Sequence, residues 1–437
     1  MTRPQPKPLA PVDPALASRI LQAVKAGFDE QLAFVEELIT YPSERGREAP
    51  AQDLVAGALA RRGYSVERWV VREDDIRHHP AYRTAHDYDN AINVVGTYRS
   101  RTEAGRSLIL NGHIDVVPAG PLDRWTSPPY QPRRDGDWLY GRGGGDMKAG
   151  IAANIFAVDA LRRLGLQPAG TIYQQSVTEE ECTGNGSLAC LVHGYRADAV
   201  ICPEPEDDKL VRACVGVFWA RIVVRGAPAH PRAAASGASA ILSAYRLIGE
   251  LMALADSWSG EKRRHRHFEA VDHPINFNVG RIEGGDWTSS VPAECTFHLR
   301  IAIYPGDDHE ARKRDIEACL ARAAATGLCD ADAPPRIEWY GNSRSGYVLE
   351  PGSEAEAVLA RAHRRAFGQD LESLVTPGGL DGGFFVIWDG IPCLTYGPLA
   401  ENIHGFDERV KISSIAKITG AIALFIAEWC GLEPVAS

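Results

Sequence analysis

Apolar runs rich in β-branched residues alternate with helical segments through the first half of the chain. The runs are AINVVGTY, SLILNGHIDVV, TIYQQSV and ADAVICP, and MKAGIAANIFAVDALRRLGL separates the second from the third. Two earlier segments, PALASRILQAVKAGFDEQLAFVEELI and EAPAQDLVAGALARRGY, repeat apolar residues at helical spacing. Strands that alternate with helices form a largely parallel sheet with helices on both faces. The sequence therefore predicts an α/β fold.

From about Cys214 the order of the elements changes. A strand GVFWARIVVRG, a helix SGASAILSAYRLIGELMALA, strands INFNVGRIEGG and ECTFHLRIAIY, a helix HEARKRDIEACLARAAA and a strand RIEWYG follow one another. This β-α-β-β-α-β order is typical of a ferredoxin-like α+β unit. Because SEAEAVLARAHRRAFG, PCLTYG and SSIAKITGAIALFIAEWC then resume the first pattern, we predict a discontinuous main domain of residues 1–213 and 344–437. The inserted domain is expected to be residues 214–343.

Charge and composition restrict the partners and the compartment. The net charge is −10 and no long basic run occurs, which argues against nucleic acid and favours a small-molecule substrate. The Pro-rich opening lacks the apolar stretch of a secretory signal, and no segment approaches the ~20 apolar residues that span a bilayer. The nine cysteines never form C-x-x-C, which argues against a zinc knuckle or a redox dithiol. We expect a cytoplasmic protein without a membrane partner.

Polar side chains follow several of the predicted strands, at the edge where an open α/β sheet binds ligands. They are His113 and Asp115 after SLILNG, Glu179, Glu180 and Glu181 after TIYQQSVT, Glu204 after ADAVICP, and His404 after PCLTYGPLAENI. Asp146 closes the Gly-rich segment YGRGGGDMKAG and opens a helix. Each residue alone has a structural explanation: Asp146 suits a helix N-cap, and the glutamate triplet suits a solvated turn.

Together these residues predict bound metal. Carboxylates gathered at one sheet edge repel one another and raise their pKa values unless cations neutralise them. Imidazole and carboxylate ligands without thiolate suit Zn²⁺, with Mn²⁺ or Co²⁺ as alternatives, and the number of candidates suggests two ions. Residues i and i+2 of an extended segment share a face, so Asp115 can lie behind His113 and orient a ligating imidazole.

Five stretches in order resemble a known family. GHIDVVP resembles its H-x-D-x-V-P motif, GRGGGDMKAG its G-R-G-x-x-D-M-K-x-G motif, and EEECTGNG its acidic pair followed by glycine. CPEP resembles its E-P motif and ENIHGFDERV its terminal H-x-x-D-E. The family is that of the dinuclear zinc aminoacylases, acetylornithine deacetylase, succinyl-diaminopimelate desuccinylase and glutamate carboxypeptidase. The resemblance spans nearly the whole chain.

The resemblance implies a metal-ligand set and a general base. The five ligands fall into two groups around a shared carboxylate: His113 and Glu204 on one ion, Glu181 and His404 on the other, and Asp146 bridging both. Glu180 becomes the general base. Glu179 leaves a register ambiguity of one residue, but Gly186 stands where the family glycine belongs if Glu180 and Glu181 are the pair.

The resemblance also implies residues that contact the substrate. His230 in GAPAHP matches the family histidine that stabilises the oxyanion, often across a dimer interface. Asn278 in FNVGRIEGG and Arg300 in FHLRI match positions that hold the substrate carboxylate, a task suited to a bidentate guanidinium. In PGGLDGG, Leu380 stands where the family commonly has a hydroxyl, which puts the acyl or side-chain pocket in doubt.

The function that follows is metal-dependent hydrolysis of the amide bond of an N-acyl amino acid, similar to acetylornithine deacetylase, by a metal-bridged water with Glu180 as base. A dipeptidase, a carboxypeptidase or an N-carbamoyl-amino-acid hydrolase with the same site is the alternative. GNGSLA also fits the G-x-G-x-x-A of a nucleotide-dependent oxidoreductase, but three preceding glutamates would repel a pyrophosphate. A catalytically inactive relative is disfavoured because candidates for every ligand and for the base are present. The family further implies a homodimer formed through the inserted domain.

Overall fold

A computed structural model describes residues 9–84, 90–329 and 333–435. The first eight residues of the Pro-rich opening lie outside the described residues. The helices are α1 (Pro14–Ala26), α2 (Phe28–Ile39), α3 (Ala49–Arg61), α4 (Glu73–Ile76), α5 (Ala149–Arg162), α6 (Asn185–Val192), α7 (Ala240–Ser259), α8 (His309–Ala325), α9 (Glu354–Phe367) and α10 (Ile412–Trp429).

The strands, in chain order, are β1 (Ser65–Val70), β2 (Ile92–Tyr98), β3 (Leu108–His113), β4 (Arg133–Asp135), β5 (Trp138–Tyr140), β6 (Leu166–Pro168), β7 (Ile172–Val177), β8 (Val200–Cys202), β9 (Leu210–Cys214), β10 (Gly216–Arg225), β11 (Phe277–Gly284), β12 (Glu294–Ile303), β13 (Arg336–Arg344), β14 (Tyr347–Val348), β15 (Ser373–Thr376), β16 (Cys393–Thr395), β17 (Ala400–Glu401), β18 (Arg409–Lys411) and β19 (Leu432–Pro434).

The largest sheet has six strands in the order β1-β2-β7-β3-β8-β16. Strands β7, β3, β8 and β16 run parallel to one another. At one edge, β2 pairs antiparallel with β7 and β1 pairs antiparallel with β2. Successive side chains of β3 point to opposite faces: Leu108 and Leu110 enter the core with α5 and α10, and Ile109 enters a second apolar cluster with Phe385. A sheet buried on both faces explains the nearly continuous apolar runs. The predicted α/β fold class is confirmed.

Helix α10 is long and apolar enough, by length and composition, to cross a membrane. However, 78% of its 18-residue window is buried inside the protein. Side chains such as Ile418, Ile422 and Phe425 belong to the main apolar core. Helix α10 is thus a core helix of the six-stranded unit.

The second sheet has the order β11-β12-β10-β13 and is antiparallel throughout. Helices α7 and α8 pack against it around a separate core that includes Leu247, Phe297 and Ile316. Strand order and connections are those of the predicted β-α-β-β-α-β unit. The chain enters this sheet at Gly216 and leaves it at Arg344, and the domain boundaries after residues 213 and 343 stay a prediction.

Several local features differ from the sequence-based expectation. The first predicted helix is two helices separated by Gly27, where a Cβ atom would lie 2.8 Å from Nε of Arg163. Three smaller sheets, β14-β9-β15, β17-β18-β5-β4 and β19-β6, use strands of two to five residues, too short for a periodic signal. Pairing of β18 with β5 brings the segment that carries His404 beside the Gly-rich segment that carries Asp146.

Candidate metal centre

The predicted metal ligands meet at the carboxyl edge of the six-stranded sheet. His113 is the last residue of β3, and Glu181 and Glu204 lie in the segments that follow β7 and β8. Because these three strands are parallel, their carboxyl ends emerge at the same edge. Asp146 and His404 reach that edge from the two segments that the β5–β18 pairing joins.

One group of ligand atoms forms around His113. Its Nε2 atom lies 3.0 Å from Oδ1 of Asp146 and 3.5 Å from Oε2 of Glu204. His113 and Glu204 are buried and Asp146 is half-buried. These atoms lie within 4.8 Å of one another, so one cation fits among them.

A second group shares Asp146. Nε2 of His404 lies 3.1 Å from Oε1 of Glu181 and 3.3 Å from Oδ2 of Asp146. Asp146 therefore presents one carboxylate oxygen to each group. A carboxylate placed in this way can bridge two cations, and the five residues are those that the sequence predicted as ligands.

The electrostatics of the two groups fit a pair of divalent cations. Burial opposes protonation of His404, yet its hydrogen bonds to Asp146 and Glu181 raise its pKa to about 11. Burial likewise acts to lower the pKa of His113, but Glu204 and Asp146 raise it well above its ordinary value. Burial raises the pKa of Glu204 to about 8. A bound cation would replace these protons and leave neutral histidine and ionised carboxylate, the forms that bind Zn²⁺, Mn²⁺ or Co²⁺.

Asp115 orients His113 through its main chain. Nδ1 of His113 donates to the carbonyl oxygen of Asp115 at 2.9 Å, while the nearest carboxylate oxygen is 3.7 Å away. This hydrogen bond leaves Nε2 of His113 as the atom that could bind a metal. The Asp115 carboxylate instead accepts from the backbone amides of Glu180 and Glu181, at 3.4 and 3.1 Å. Asp115 therefore holds both a ligand and the segment that carries the candidate base.

The three consecutive glutamates have different surroundings. Glu179 is buried, pairs with Nε of Arg45 at 2.6 Å and accepts from the Thr183 hydroxyl at 3.0 Å. These contacts hold the Glu179 carboxylate at Arg45 and Thr183 and not in either ligand group. Glu181, two residues further along the chain, contacts His404. The arrangement favours the register in which Glu180 and Glu181 are the base and the ligand.

Glu180 has a partner that the sequence did not predict. Nη1 of Arg344 donates to Oε1 of Glu180 at 2.5 Å, and Nη2 donates to the Glu180 carbonyl at 2.9 Å. Nη1 also lies 2.9 Å from Oδ1 of Asp381, and all three residues are buried. No recognised motif includes Arg344, so the sequence offered no signal for this contact.

A buried ion pair between Glu408 and Arg142 holds the main chain at Asp146. Oε1 of Glu408 accepts from the amides of Gly145 and Asp146, and Oε2 pairs with Nη1 of Arg142 at 2.6 Å. Glu408 closes the terminal motif that begins at His404, and the sequence predicted no role for it. Lys148, also buried, donates to the carbonyls of Leu38 and Tyr41. These bonds fix the Gly-rich segment on which Asp146 lies.

The predicted substrate residues lie on the second sheet. Arg300 donates to Oδ1 of Asn276 at 2.8 Å and to the carbonyl of Pro377 at 3.1 Å, which joins this sheet to the PGGLDGG segment. Burial, with some contribution from Arg344, lowers the pKa of Arg300 to about 10, so the guanidinium remains charged at neutral pH. Asn278 is exposed on β11 and pairs in register with Arg300.

His230 is separate from the two ligand groups within the described residues. It is exposed, and its Nδ1 accepts from the amide of Arg232 at 3.2 Å. Leu380, by contrast, lines a cleft together with Arg83, Arg344 and Trp388, and Arg344 contacts the candidate base Glu180. The residue that departs from the family pattern therefore forms part of an apolar wall near Glu180.

The chain is similar over most of its length to known proteins. A model described as peptidase family M20/M25/M40 matches residues 109–428. The chain is 28% identical over 442 residues to an N-formyl-4-amino-5-aminomethyl-2-methylpyrimidine deformylase of Halalkalibacterium halodurans. The match covers 96% of this chain and 99% of that protein. The chain is also 28% identical over 398 residues to a succinyl-diaminopimelate desuccinylase of Methylibium petroleiphilum, and that match covers 88% of this chain and 94% of that protein.

A solved structure has the same fold. The di-peptidase Dug1p of Saccharomyces cerevisiae superposes with a TM-score of 0.78 at 14% identity, and the match covers 95% of this chain and 98% of that one. This similarity shows the fold, and the match of the family model confirms the family that the five sequence motifs indicated.

Proposed function

The chain belongs to peptidase family M20/M25/M40, and from this premise we propose that it is a two-metal hydrolase of the amide bond in a small N-acyl amino acid. The observation that carries this proposal is the placement of Asp146, with one carboxylate oxygen beside His113 and the other beside His404. Two cation positions that share a carboxylate, next to a buried glutamate, can supply the Lewis acid and the general base for amide hydrolysis.

Two divalent ions would be held by the two ligand groups, with zinc as the first choice and cobalt or manganese as alternatives. When bound, such ions polarise the scissile carbonyl and lower the pKa of water toward neutrality. The Nδ1–H of His113 remains committed to the Asp115 carbonyl, so that the ring cannot rotate away from its ligand position.

Glu180 takes the proton of the attacking water and delivers it to the leaving amine. Its carboxylate is buried beside Glu181, and its segment is held by the Asp115 carboxylate. One carboxylate oxygen contacts Arg344, which leaves the other for the water. These contacts support Glu180 as the general base.

Arg300 binds the carboxylate of the substrate, assisted by Asn278 on the neighbouring strand. The two contacts of Arg300 that join it to Asn276 and Pro377 are with neutral oxygens, so its charge is available to an anionic ligand. The acyl group enters the cleft lined by Leu380, Phe384 and Trp388. An apolar wall suits a small acyl group, and the deformylase relative adds N-formyl amines to the candidates.

A substrate screen and base variants test this function. Purified protein with added zinc, manganese or cobalt is assayed on N-acetyl, N-formyl, N-succinyl and N-carbamoyl amino acids and on dipeptides. We expect hydrolysis of an N-acyl substrate, and the Glu180→Ala and Glu180→Gln variants should lose at least ~10²-fold in kcat with both ions retained. Glu181→Gln is the matched control, because it should lose metal. Full activity of Glu180→Ala would refute the assignment of the base.

A homodimer formed through the second sheet is the accompanying proposal. Leu242 and Tyr245 lie one turn apart on α7 with 56% and 64% of their surfaces exposed, and β11 is an edge strand. A second copy that covers this face would also bring its exposed His230 toward the partner site, as the oxyanion role requires. Sedimentation should give a dimer for the wild type and a monomer for Leu242→Glu/Tyr245→Glu. A monomeric wild type would contradict the shared site.

A further inference from the structure

Arg344 is a buried cation between two buried carboxylates. Its Nη1 atom donates to Oε1 of Glu180 at 2.5 Å and to Oδ1 of Asp381 at 2.9 Å. Its Nη2 atom donates to the main-chain carbonyl of Glu180 at 2.9 Å. The guanidinium thus holds both the side chain and the backbone of the same glutamate, which fixes its rotamer more closely than a single ion pair would.

The segment around Arg344 is itself held on both faces. Oδ1 of Asn342 accepts from the Arg344 amide and from Nε, each at 3.2 Å. The hydroxyls of Ser343 and Ser345 lie 3.4 and 3.2 Å from the two ring nitrogens of His309. Because neighbouring residues of an extended segment point to opposite faces, the His309 clamp on one face directs Arg344 toward Glu180 on the other.

Arg344 and Arg300 have different surroundings although they lie near each other. The Arg300 guanidinium donates to a side-chain amide oxygen and to a main-chain carbonyl. Arg344, in contrast, contacts two carboxylates that come from the six-stranded unit. Arg300 is therefore suited to bind an anionic substrate, whereas the charge of Arg344 is already used by Glu180 and Asp381.

We propose that Arg344 is a positioning residue that fixes the Glu180 carboxylate for its role as base, and that Asp381 in turn fixes Arg344. This inference rests on the proposed function, because it assigns Glu180 as the base. Arg344 lies at the end of β13, so the base is placed by a residue of the second sheet. Correct docking of the two units and correct placement of the base then depend on the same contact.

The test compares Arg344→Gln, Arg344→Lys and Asp381→Asn with Arg212→Gln. Arg212 is a matched control, since it is also a buried arginine, paired with Glu356 and outside the site. We expect Arg344→Gln to lower kcat by about 10²-fold, with KM changed by less than about threefold and both ions retained. Arg344→Lys should recover about tenfold of that loss, and Asp381→Asn should lower kcat by about tenfold. Arg212→Gln should leave kcat and KM unchanged.

A crystal structure of metal-free Arg344→Gln adds a readout independent of turnover. The Glu180 carboxylate should leave its wild-type position, and an unchanged Glu180 would overturn the proposal. A raised KM with unchanged kcat would also overturn it, because Arg344 would then bind substrate. Should Arg344→Gln fail to fold, Arg344→Lys and Asp381→Asn carry the same two readouts. A wild-type protein inactive on every amide would refute the proposed function, whereas the position of Glu180 in the variant would still decide whether Arg344 places it.

Discussion

The backbone amide of Asp146 donates to Oε1 of Glu408 at 3.1 Å, and the other oxygen of Glu408 pairs with buried Arg142 at 2.6 Å. The amide of Gly145 donates to the same Oε1 atom at 2.9 Å. Glu408 thereby fixes the main chain of the residue that presents an oxygen to each ligand group. The bridging role proposed for Asp146 depends on this contact, although Glu408 itself is not among the proposed ligands.

Glu408→Gln should weaken metal binding. A glutamine offers only one acceptor oxygen, so either the two amides or Arg142 would face an amide NH₂ group. We expect the affinity for zinc to fall by about 10- to 100-fold, measured by competition with a chromogenic chelator. Glu401→Gln is the control, since Glu401 pairs with Arg409 at an exposed position of the same region. Equal affinities for wild type and Glu408→Gln would contradict the role given to Glu408.

Asp115→Ala should separate metal binding from catalysis. The main-chain carbonyl that holds His113 remains in this variant, whereas the carboxylate that holds the amides of Glu180 and Glu181 is removed. We expect kcat to fall by about tenfold or more because the base is misplaced, while metal analysis still finds two ions. Asp159→Ala is the control, because it removes a carboxylate on α5 that pairs with Arg62. If Asp115→Ala lost the ions, its carboxylate would be the orienter that the sequence predicted.

Gly186→Ala should destabilise the protein. A Cβ atom at Gly186 would lie 1.9 Å from the Thr178 carbonyl, so α6 would be pushed away from the end of β7. We expect the free energy of unfolding to fall by about 2 kcal/mol or more, within the usual range for overpacking. Gly249→Ala is the control because it is helical and has open space around the added atom; it should gain about 0.5–1 kcal/mol. Equal effects of the two substitutions in urea unfolding would contradict the close packing at Gly186.

His363 should make the stability depend on pH. Burial lowers the pKa of His363 from 6.5 to about 4, so between these values the unfolded chain binds a proton that the folded protein excludes. The stability from this residue is therefore complete above pH 6.5 and is lost as the pH falls toward 4, with a slope of up to about 1.4 kcal/mol per pH unit. His363→Gln should make the fall in urea-unfolding stability between pH 6.5 and 4 less steep, whereas exposed His273→Gln should not. An unchanged slope in His363→Gln would mean that other groups cause the acid sensitivity.

The long elements could be predicted from the sequence, but the short ones could not. Strands such as β3 and β10 and helices such as α7 and α10 contain enough residues for a period to appear. Strands β5 and β18, of three residues each, form only because distant segments pair. That pairing brings His404 to Asp146. The motifs therefore predicted which residues are candidate ligands, but only the fold shows that they lie together.

The side-chain partners of the candidate ligands were harder to predict from the sequence than the candidate ligands themselves. Asp115 was expected behind His113, yet the acceptor is its carbonyl, because the carboxylate can satisfy two amides of the Glu180 segment. Arg344 carries no motif and reaches Glu180 from a strand 164 residues along the chain. Spacing in a sequence identifies residues on one element, whereas contacts of this kind depend on how two separate units dock.

Asp146 is proposed to join two cation positions. Anomalous diffraction from crystals of zinc-loaded protein, recorded on both sides of the zinc absorption edge, tests it most directly. We predict two peaks, one among His113, Asp146 and Glu204 and one among Asp146, Glu181 and His404. A single peak, or peaks away from these side chains, would contradict the account.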